Sequence, residues 1–150
     1  MKVNRLNSRT LMSLVATLLM VFAVSNSVIA AEGAKHKLVI QVSTADEQQQ
    51  TIALNNAVNV QKEMGMDNID IEVVAYGPGL GILTAKSKEA ARVKSLAMQN
   101  ITFSACGNTM AKIEKKTGKK PELTEGVKVV KAGVVRIMEL QEQGYSYLRP

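Results

Sequence analysis

Two hydrophobic periods alternate along the chain from residue 37 to residue 148. Short runs rich in valine and isoleucine predict strands over residues 37–43, 69–76, 101–105 and 127–131. Between these runs, apolar residues recur every three or four positions, which predicts amphipathic helices. The predicted helices run from a capping box at Thr44 and Glu47 to about residue 64, then over 86–99, 108–116 and 133–144. In the last of them, the spacing predicts that Val134, Ile137 and Met138 face inward.

Strands separated by helices are typical of βαβ units, in which helices cover the faces of a parallel sheet. We therefore predict one α/β domain over residues 31–150, with three layers and a mostly parallel sheet flanked by helices. Residues 145–150 are apolar enough to pack as an edge strand or against a neighbouring subunit. In sheets of this class, ligands bind beyond the carboxyl ends of the strands. The loops after the second and third strands are therefore the first places to look for a site.

Residues 1–30 have the pattern of a secretory signal peptide. Three basic residues precede the apolar run Leu11–Val24, and small residues follow at Ala30 and Ala31. The rival interpretation is an uncleaved membrane anchor, but the run of 14 residues is shorter than the ~20 that a spanning helix needs. We expect cleavage near Ala30 or Ala31, a periplasmic location, and no stable membrane insertion of the mature domain.

The charge of the chain changes when residues 1–30 are set aside. The whole chain has 19 basic and 13 acidic residues and a net charge of +6; residues 1–30 hold three of the basic ones and no acid, which leaves +3. Without a clustered basic stripe, this charge argues against a nucleic-acid partner. Lysines 112, 115, 116, 119 and 120 predict a solvated helix face. His36 is the only histidine and has no ligand neighbours at metal-binding spacing, so we expect neither a metal site nor a cofactor.

Cys106 is the only cysteine of the chain, so no internal disulfide is possible. It lies where a predicted strand ends and a helix begins, and there unpaired backbone N–H groups and the helix dipole favour a thiolate. Gly107 would let a reactant approach closely, and Asn108 and Thr109 could donate hydrogen bonds to sulfur or to a bound anion. The alternative is a small buried hydrophobic residue, the usual role of a free cysteine.

The glycine-rich segment Gly77–Gly81 follows the second predicted strand. It lacks the third glycine of a dinucleotide-binding fingerprint and the Lys-Ser/Thr ending of a P-loop. Pro78 and Gly79 fit the centre of a type II turn, in which Gly79 would have a positive φ. We therefore predict a structural turn, which could also form one wall of a site shared with Cys106.

Four segments of the chain together carry a family resemblance. They are VVAYGPG at 73–79, FSACGNTM at 103–110, the glycine-valine segments within 126–134, and LQEQGYSY at 140–147. The set resembles the DsrE/DsrF-like family over about residues 37–150. The resemblance implies a YchN-like α/β fold, assembly into homo-trimers or hexamers, and a role in sulfur relay between donor and acceptor proteins. It also implies that Cys106 carries the persulfide. From their positions beside Cys106 and in the glycine-rich segment, we expect the binding residues to be Gly107, Asn108, Thr109, Tyr76, Gly77 and Gly79.

Two features depart from the pattern that the resemblance implies. Exported members often have histidine where this chain has Tyr76, and near neutral pH a tyrosine hydroxyl is a much weaker acid than an imidazolium. Sulfur relays of known mechanism work in the cytoplasm, whereas this chain is predicted to be exported.

The prediction from sequence is therefore an exported sulfur-handling protein, at most sulfurtransferase-like, that carries sulfane sulfur on Cys106. One alternative is a non-catalytic ligand-binding or oligomeric assembly domain in which Cys106 is a buried structural residue. Another is a thiol redox sensor, which would need a second molecule because the chain has no resolving cysteine.

Overall fold

Five parallel strands form one sheet in the structure, a computed structural model that describes residues 35–150. The strands are β1 (His36–Val42), β2 (Ile69–Ala75), β3 (Ile101–Cys106), β4 (Val127–Val130) and β5 (Ser146–Leu148). Their order across the sheet is β4-β3-β2-β1-β5. The predicted signal peptide lies outside the described residues.

Helices connect the strands in every crossover. They are α1 (Glu47–Met64), α2 (Ala90–Ala97), α3 (Gly107–Thr117) and α4 (Gly133–Glu142), and a 3₁₀ segment, Gly77–Leu83, precedes α2. Among residues 35–150, no helix is both long and apolar enough to span a bilayer.

The larger core lies between the sheet and the helices α1 to α3. Successive strands from β1 to β4 are neighbours in the sheet, so right-handed crossovers place these three helices on the same face. This core has 18 buried residues, and Phe103 of β3 is its only aromatic side chain.

Within the part of the chain that the structure describes, α4 alone covers the opposite face of the sheet. This helix leaves β4 at one edge, crosses the sheet and leads to β5 at the other edge. Its small core consists of Val39, Val74, Ile137 and Leu140, with Tyr76 and Tyr145 at its margin. These apolar contacts lie over β1 and β2. Over β3 and β4, the face remains open as a cavity of about 660 Å³.

The predicted α/β class, with a parallel sheet between two helical layers, is confirmed. All five strands are parallel, since β1 pairs with β2 and β5, and β3 pairs with β2 and β4. The expectation that residues 145–150 contain an edge strand is also confirmed, because β5 aligns with Leu38–Ile40 of β1.

Three local predictions were wrong. Asp46, not Thr44, caps α1, because its carboxylate accepts the Gln49 N–H at 2.8 Å. The segment after β2 is a 3₁₀ helix rather than a type II turn, and the positive φ belongs to Gly77 (55°).

The third error concerns the orientation of α4. Val134 and Met138 are each 56% exposed, while the buried residues of the helix are Gly133, Ile137 and Leu140. The inward stripe therefore begins one residue earlier than the apolar pattern indicated.

Candidate functional site

Cys106 is the last residue of β3 and directly precedes the first turn of α3. Side chains alternate along a strand, so Cys106 is on the same sheet face as Ser104, the face that α4 covers. The residue is 5% exposed, which places the thiol beneath the protein surface.

Two helices begin beside this thiol. The helix α3 starts at the next residue, and α4 starts at Gly133. A Cβ atom added to Gly133 would lie 3.3 Å from the Cβ of Cys106 and 3.0 Å from the Cβ of Tyr76. The first turn of a helix has N–H groups that no helical carbonyl accepts, and it carries a partial positive charge. Cys106 therefore lies near two helix ends that favour a negative charge.

Thr109 connects the glycine-rich segment to the thiol. Its hydroxyl oxygen accepts a hydrogen bond from the backbone N–H of Gly77 at 2.9 Å. A hydroxyl can accept and donate at the same time, so the Thr109 hydrogen remains available to Cys106. Gly77 therefore binds the same hydroxyl that lowers the pKa of Cys106.

Opposing effects set the acidity of Cys106. Burial raises the pKa of the thiol, because a low-dielectric environment disfavours the charged form. The Thr109 hydroxyl and the backbone N–H groups of Gly133, Thr109 and Asn108 lower it, because they stabilise a negative charge on sulfur. The donors outweigh burial, so the pKa lies below its ordinary value. The N–H of Asn108 also donates to the carbonyl of Lys131 at 3.1 Å.

Of the other predicted binding residues, Tyr76 and Gly107 lie beside the thiol, whereas Gly79 lies against β1. Tyr76 is half-buried and lies against Gly133. Gly107 is closely packed, because a Cβ there would lie 3.1 Å from the carbonyl oxygen of Val130. Gly79 contacts β1 instead, where its Cβ would be 2.2 Å from the carbonyl oxygen of Val42. Gly79 therefore packs against the end of β1, and its N–H donates to the carbonyl of Tyr76 at 3.1 Å.

His36 begins β1, which places it at the amino end of the sheet, opposite Cys106. The five lysines predicted to form a solvated face are all exposed. Within residues 35–150, no three histidine, cysteine or acidic side chains come together in a way that could hold a metal ion.

A buried polar cluster on the same face was not predicted from the sequence. Glu72 of β2, Ser104 of β3 and Arg136 of α4 are joined by hydrogen bonds of 2.7–2.8 Å. The signal that could have revealed it was an acidic residue at the centre of a strand in which only Asp70 is otherwise polar, three residues before the strand ends. A glutamate at a position buried on both sides predicts a buried basic partner.

Replacing Thr109 by valine is expected to raise the pKa of Cys106 by about one unit or more. A hydrogen bond to a charged group contributes about 1.5–3 kcal/mol, and one pKa unit corresponds to about 1.4 kcal/mol. Thr109→Ser keeps the hydroxyl and is the matched control, for which we expect an unchanged pKa. The measurement is the pH dependence of the rate of alkylation by iodoacetamide. Equal pKa values in the two variants would show that the hydroxyl does not act on the thiol.

Comparisons with known proteins agree with this architecture. The model of the DsrE/DsrF-like family matches residues 36–150. No curated protein matches the chain. Among solved structures, the protein of unknown function MTH1491 from Methanobacterium thermoautotrophicum is similar, with 32% sequence identity and a TM-score of 0.69. The match covers 77% of this chain and 100% of that protein.

The family model covers the whole of the described domain, from the first residue of β1 to the end of the chain. The fold and the sequence thus lead to the same assignment. This chain belongs to the DsrE/DsrF-like family, a membership that suggests a role related to sulfur relay.

Proposed function

We propose that this protein carries sulfane sulfur as a persulfide on Cys106 and transfers it to a thiol of a partner. The observation that supports the proposal is the position of the buried Cys106 at the start of α3 with the start of α4 packed against it, where the surrounding donors lower the pKa of the thiol. Burial in an apolar site raises the pKa of a thiol and leaves it inert, whereas donors around the sulfur favour the reactive thiolate.

In the loading step, the Cys106 thiolate attacks the outer sulfur of a donor persulfide, R–S–SH. A bond forms between Sγ and that sulfur, and the donor S–S bond breaks with its electron pair leaving on R–S⁻. The proton stays on the transferred sulfur, so the product is Cys106–S–SH. Two sulfur centres exchange partners, and no external oxidant or reductant is required.

In the unloading step, an acceptor thiolate attacks the outer sulfur of Cys106–S–SH, and the electron pair of the broken bond returns to Sγ. A thiol with a low pKa leaves faster in such an exchange. The groups that stabilise the Cys106 thiolate therefore assist both steps, since the thiolate is the nucleophile of the first and the leaving group of the second.

The experiment that tests the proposal is the intact mass of the purified protein before and after exposure to inorganic polysulfide. We expect a gain of one or more sulfur atoms, which dithiothreitol reverses and prior alkylation prevents. An unchanged mass, together with a Cys106 that resists alkylation until the protein is unfolded, would overturn the proposal. That outcome would favour the alternative of a structural cysteine in a binding or assembly domain.

We further propose that the protein is a homo-oligomer, a trimer or hexamer as the family resemblance implies. Apolar side chains on the outer side of α4 support this: Val134 and Met138 are each 56% exposed and Val135 is 48% exposed. Contiguous exposed apolar residues are typical of protein interfaces.

Met138→Lys is expected to shift the protein towards smaller species in sedimentation velocity, because it places a charge in the proposed interface. Met98→Lys is the matched control, since Met98 is 72% exposed at the end of α2 and that helix packs on the other sheet face. A wild-type protein that sediments as a monomer would refute self-association.

Export, periplasmic location and the identities of the sulfur donor and acceptor stay predictions. A free thiol that is 5% exposed is compatible with an oxidising compartment, because burial limits its contact with oxidants.

A further inference from the structure

A buried carboxylate lies under α4. Glu72 is 4% exposed, and its Oε1 accepts hydrogen bonds from the Ser104 hydroxyl at 2.7 Å and from Arg136 Nε at 2.8 Å. Its Oε2 accepts a second bond from Arg136, from Nη2 at 2.7 Å. The arginine thus binds both oxygens of the carboxylate, an arrangement with one well-defined geometry.

Stability alone does not account for such a pair. Removing a carboxylate and a guanidinium from water has a cost that their attraction often fails to exceed, and apolar residues of similar size serve a core equally well. Unlike apolar contacts, a bidentate pair fixes the relative position of the two elements that carry its residues.

The elements joined by Glu72 are those that surround the thiol. Ser104 precedes Cys106 by two residues on the same face of β3, and Arg136 follows Gly133 by three residues on one side of α4. Gly133 in turn lies against Cys106. The contacts therefore close a ring that runs from the thiol along β3, through Glu72 to α4, and back to the thiol.

The packing of α4 against the sheet is uneven, so the ring of contacts matters for the position of the helix. The apolar contacts of the helix, Val39 and Val74, are on β1 and β2, whereas the cavity of about 660 Å³ separates α4 from the β4 side of the sheet. Near β3, the polar cluster takes the place that an apolar contact would have. The ion pair and the contact of Gly133 therefore hold the first turn of α4 over β3, together with the Lys131 carbonyl before it, which accepts the Asn108 N–H at 3.1 Å.

We propose that Glu72 and Arg136 are a positioning pair, which holds the first turn of α4 so that the backbone N–H of Gly133 stays directed at Cys106. This role rests on the proposed function, in which the Cys106 thiolate is the reacting group, and it adds two residues that never touch the transferred sulfur. Loss of the pair lets the start of α4 move away from the end of β3.

The decisive variant is Glu72→Gln, because positioning and simple charge effects change the pKa of Cys106 in opposite directions. Removing a nearby negative charge favours a thiolate, which lowers the pKa of the thiol. Loss of the Gly133 N–H disfavours a thiolate, which raises it. We expect a rise of about one unit, measured from the pH dependence of alkylation by iodoacetamide, and hence about a tenfold lower thiolate fraction below the pKa.

Two further variants serve as controls for charge and for geometry. Glu139→Gln removes an exposed carboxylate that lies 3.6 Å from Arg136 on the same helix, and it leaves Glu72 in place. We expect no change in the pKa of Cys106 for this variant. Arg136→Lys retains the charge without the bidentate geometry. In this variant, we expect the pKa of Cys106 to lie between its values in the wild type and in Glu72→Gln.

Circular dichroism and thermal unfolding establish that each variant is folded. If Glu72→Gln does not fold, Ser104→Ala decides the question, because it removes only the hydrogen bond between β3 and Glu72. We expect it to raise the pKa of Cys106 by a smaller amount. An unchanged or lower pKa in the folded variant overturns the positioning role. Alkylation does not involve sulfur loading, so this result is independent of whether Cys106 carries a persulfide.

Discussion

Replacing Cys106 by serine is expected to abolish the gain in mass that polysulfide produces in the wild type. Cys106 is the only cysteine of the chain, and the thioether of methionine cannot form a persulfide. A serine hydroxyl is not ionised near neutral pH and is a poor nucleophile without an adjacent base. We therefore expect complete loss of loading, measured by intact mass under the conditions used for the wild type.

The fold of the serine variant is expected to persist, because serine has nearly the shape of cysteine and its hydroxyl can accept the hydrogen bonds of Thr109 and Gly133. Thermal unfolding checks this point, and Cys106→Ala separates the loss of the thiol from the presence of a new hydroxyl. Loading of the folded serine variant to the wild-type level would end the carrier hypothesis.

The second large effect is expected at Gly79. An alanine Cβ there would lie 2.2 Å from the carbonyl oxygen of Val42, 2.5 Å from its carbonyl carbon and 2.8 Å from the N of Ser43. These are backbone atoms at the end of β1, which cannot move without displacing the strand. We expect Gly79→Ala to lower the free energy of unfolding by about 3 kcal/mol or more, the upper range for overpacking.

The matched control is Gly81→Ala in the same 3₁₀ segment. Apart from its chain neighbours and the backbone of its own helix, no heavy atom of residues 35–150 lies within 4 Å of the position its Cβ would take, and the residue has no positive φ. We expect a change of less than about 1 kcal/mol, in the stabilising direction because alanine restricts the unfolded chain. Urea denaturation of the two variants provides the comparison. Similar stabilities would show that the close approach to β1 is absent in solution.

Much of the fold was predictable because its signals are local. The β-branched runs that form β1, β2 and β3 are bounded by polar or glycine-rich residues, and their ends were placed within one residue of the observed ends. The boundaries of α2 were less accurate. The predicted helix began at residue 86, whereas α2 begins at Ala90, because residues 84–89 instead form turns and pair with the segment around Leu123.

The surroundings of Cys106 were only half predictable. Asn108 and Thr109 follow it in sequence, so their proximity could be inferred from the strand–helix junction alone. Gly133 is 27 residues further along the chain and reaches the thiol only because β4 pairs with β3 and α4 turns back over the sheet. No pattern within a short window carries that information.

The prediction of which side of α4 faces inward was wrong for a related reason. Its inward-facing stripe consists of the buried Gly133, Ile137 and Leu140 and the partly buried Arg136, at the spacing of an ordinary amphipathic helix. Two members of the stripe are a glycine and an arginine, which hydrophobicity alone assigns to the surface. They face inward because one packs on Cys106 and the other pairs with Glu72.

The unequal cores of the two sheet faces have a consequence for access to the buried sulfur. Eighteen buried residues hold α1 to α3 on one face, but four hold α4 on the other. Segments with few buried apolar contacts open at a lower free energy than the whole domain. A partial opening of α4 would expose the thiol while the larger core stays intact, and it would also withdraw the Gly133 N–H. The rate at which a sulfur donor reaches Cys106 would then be set by the equilibrium between the packed and the partly opened α4. In the opened state, the thiol would be more accessible but would have a higher pKa.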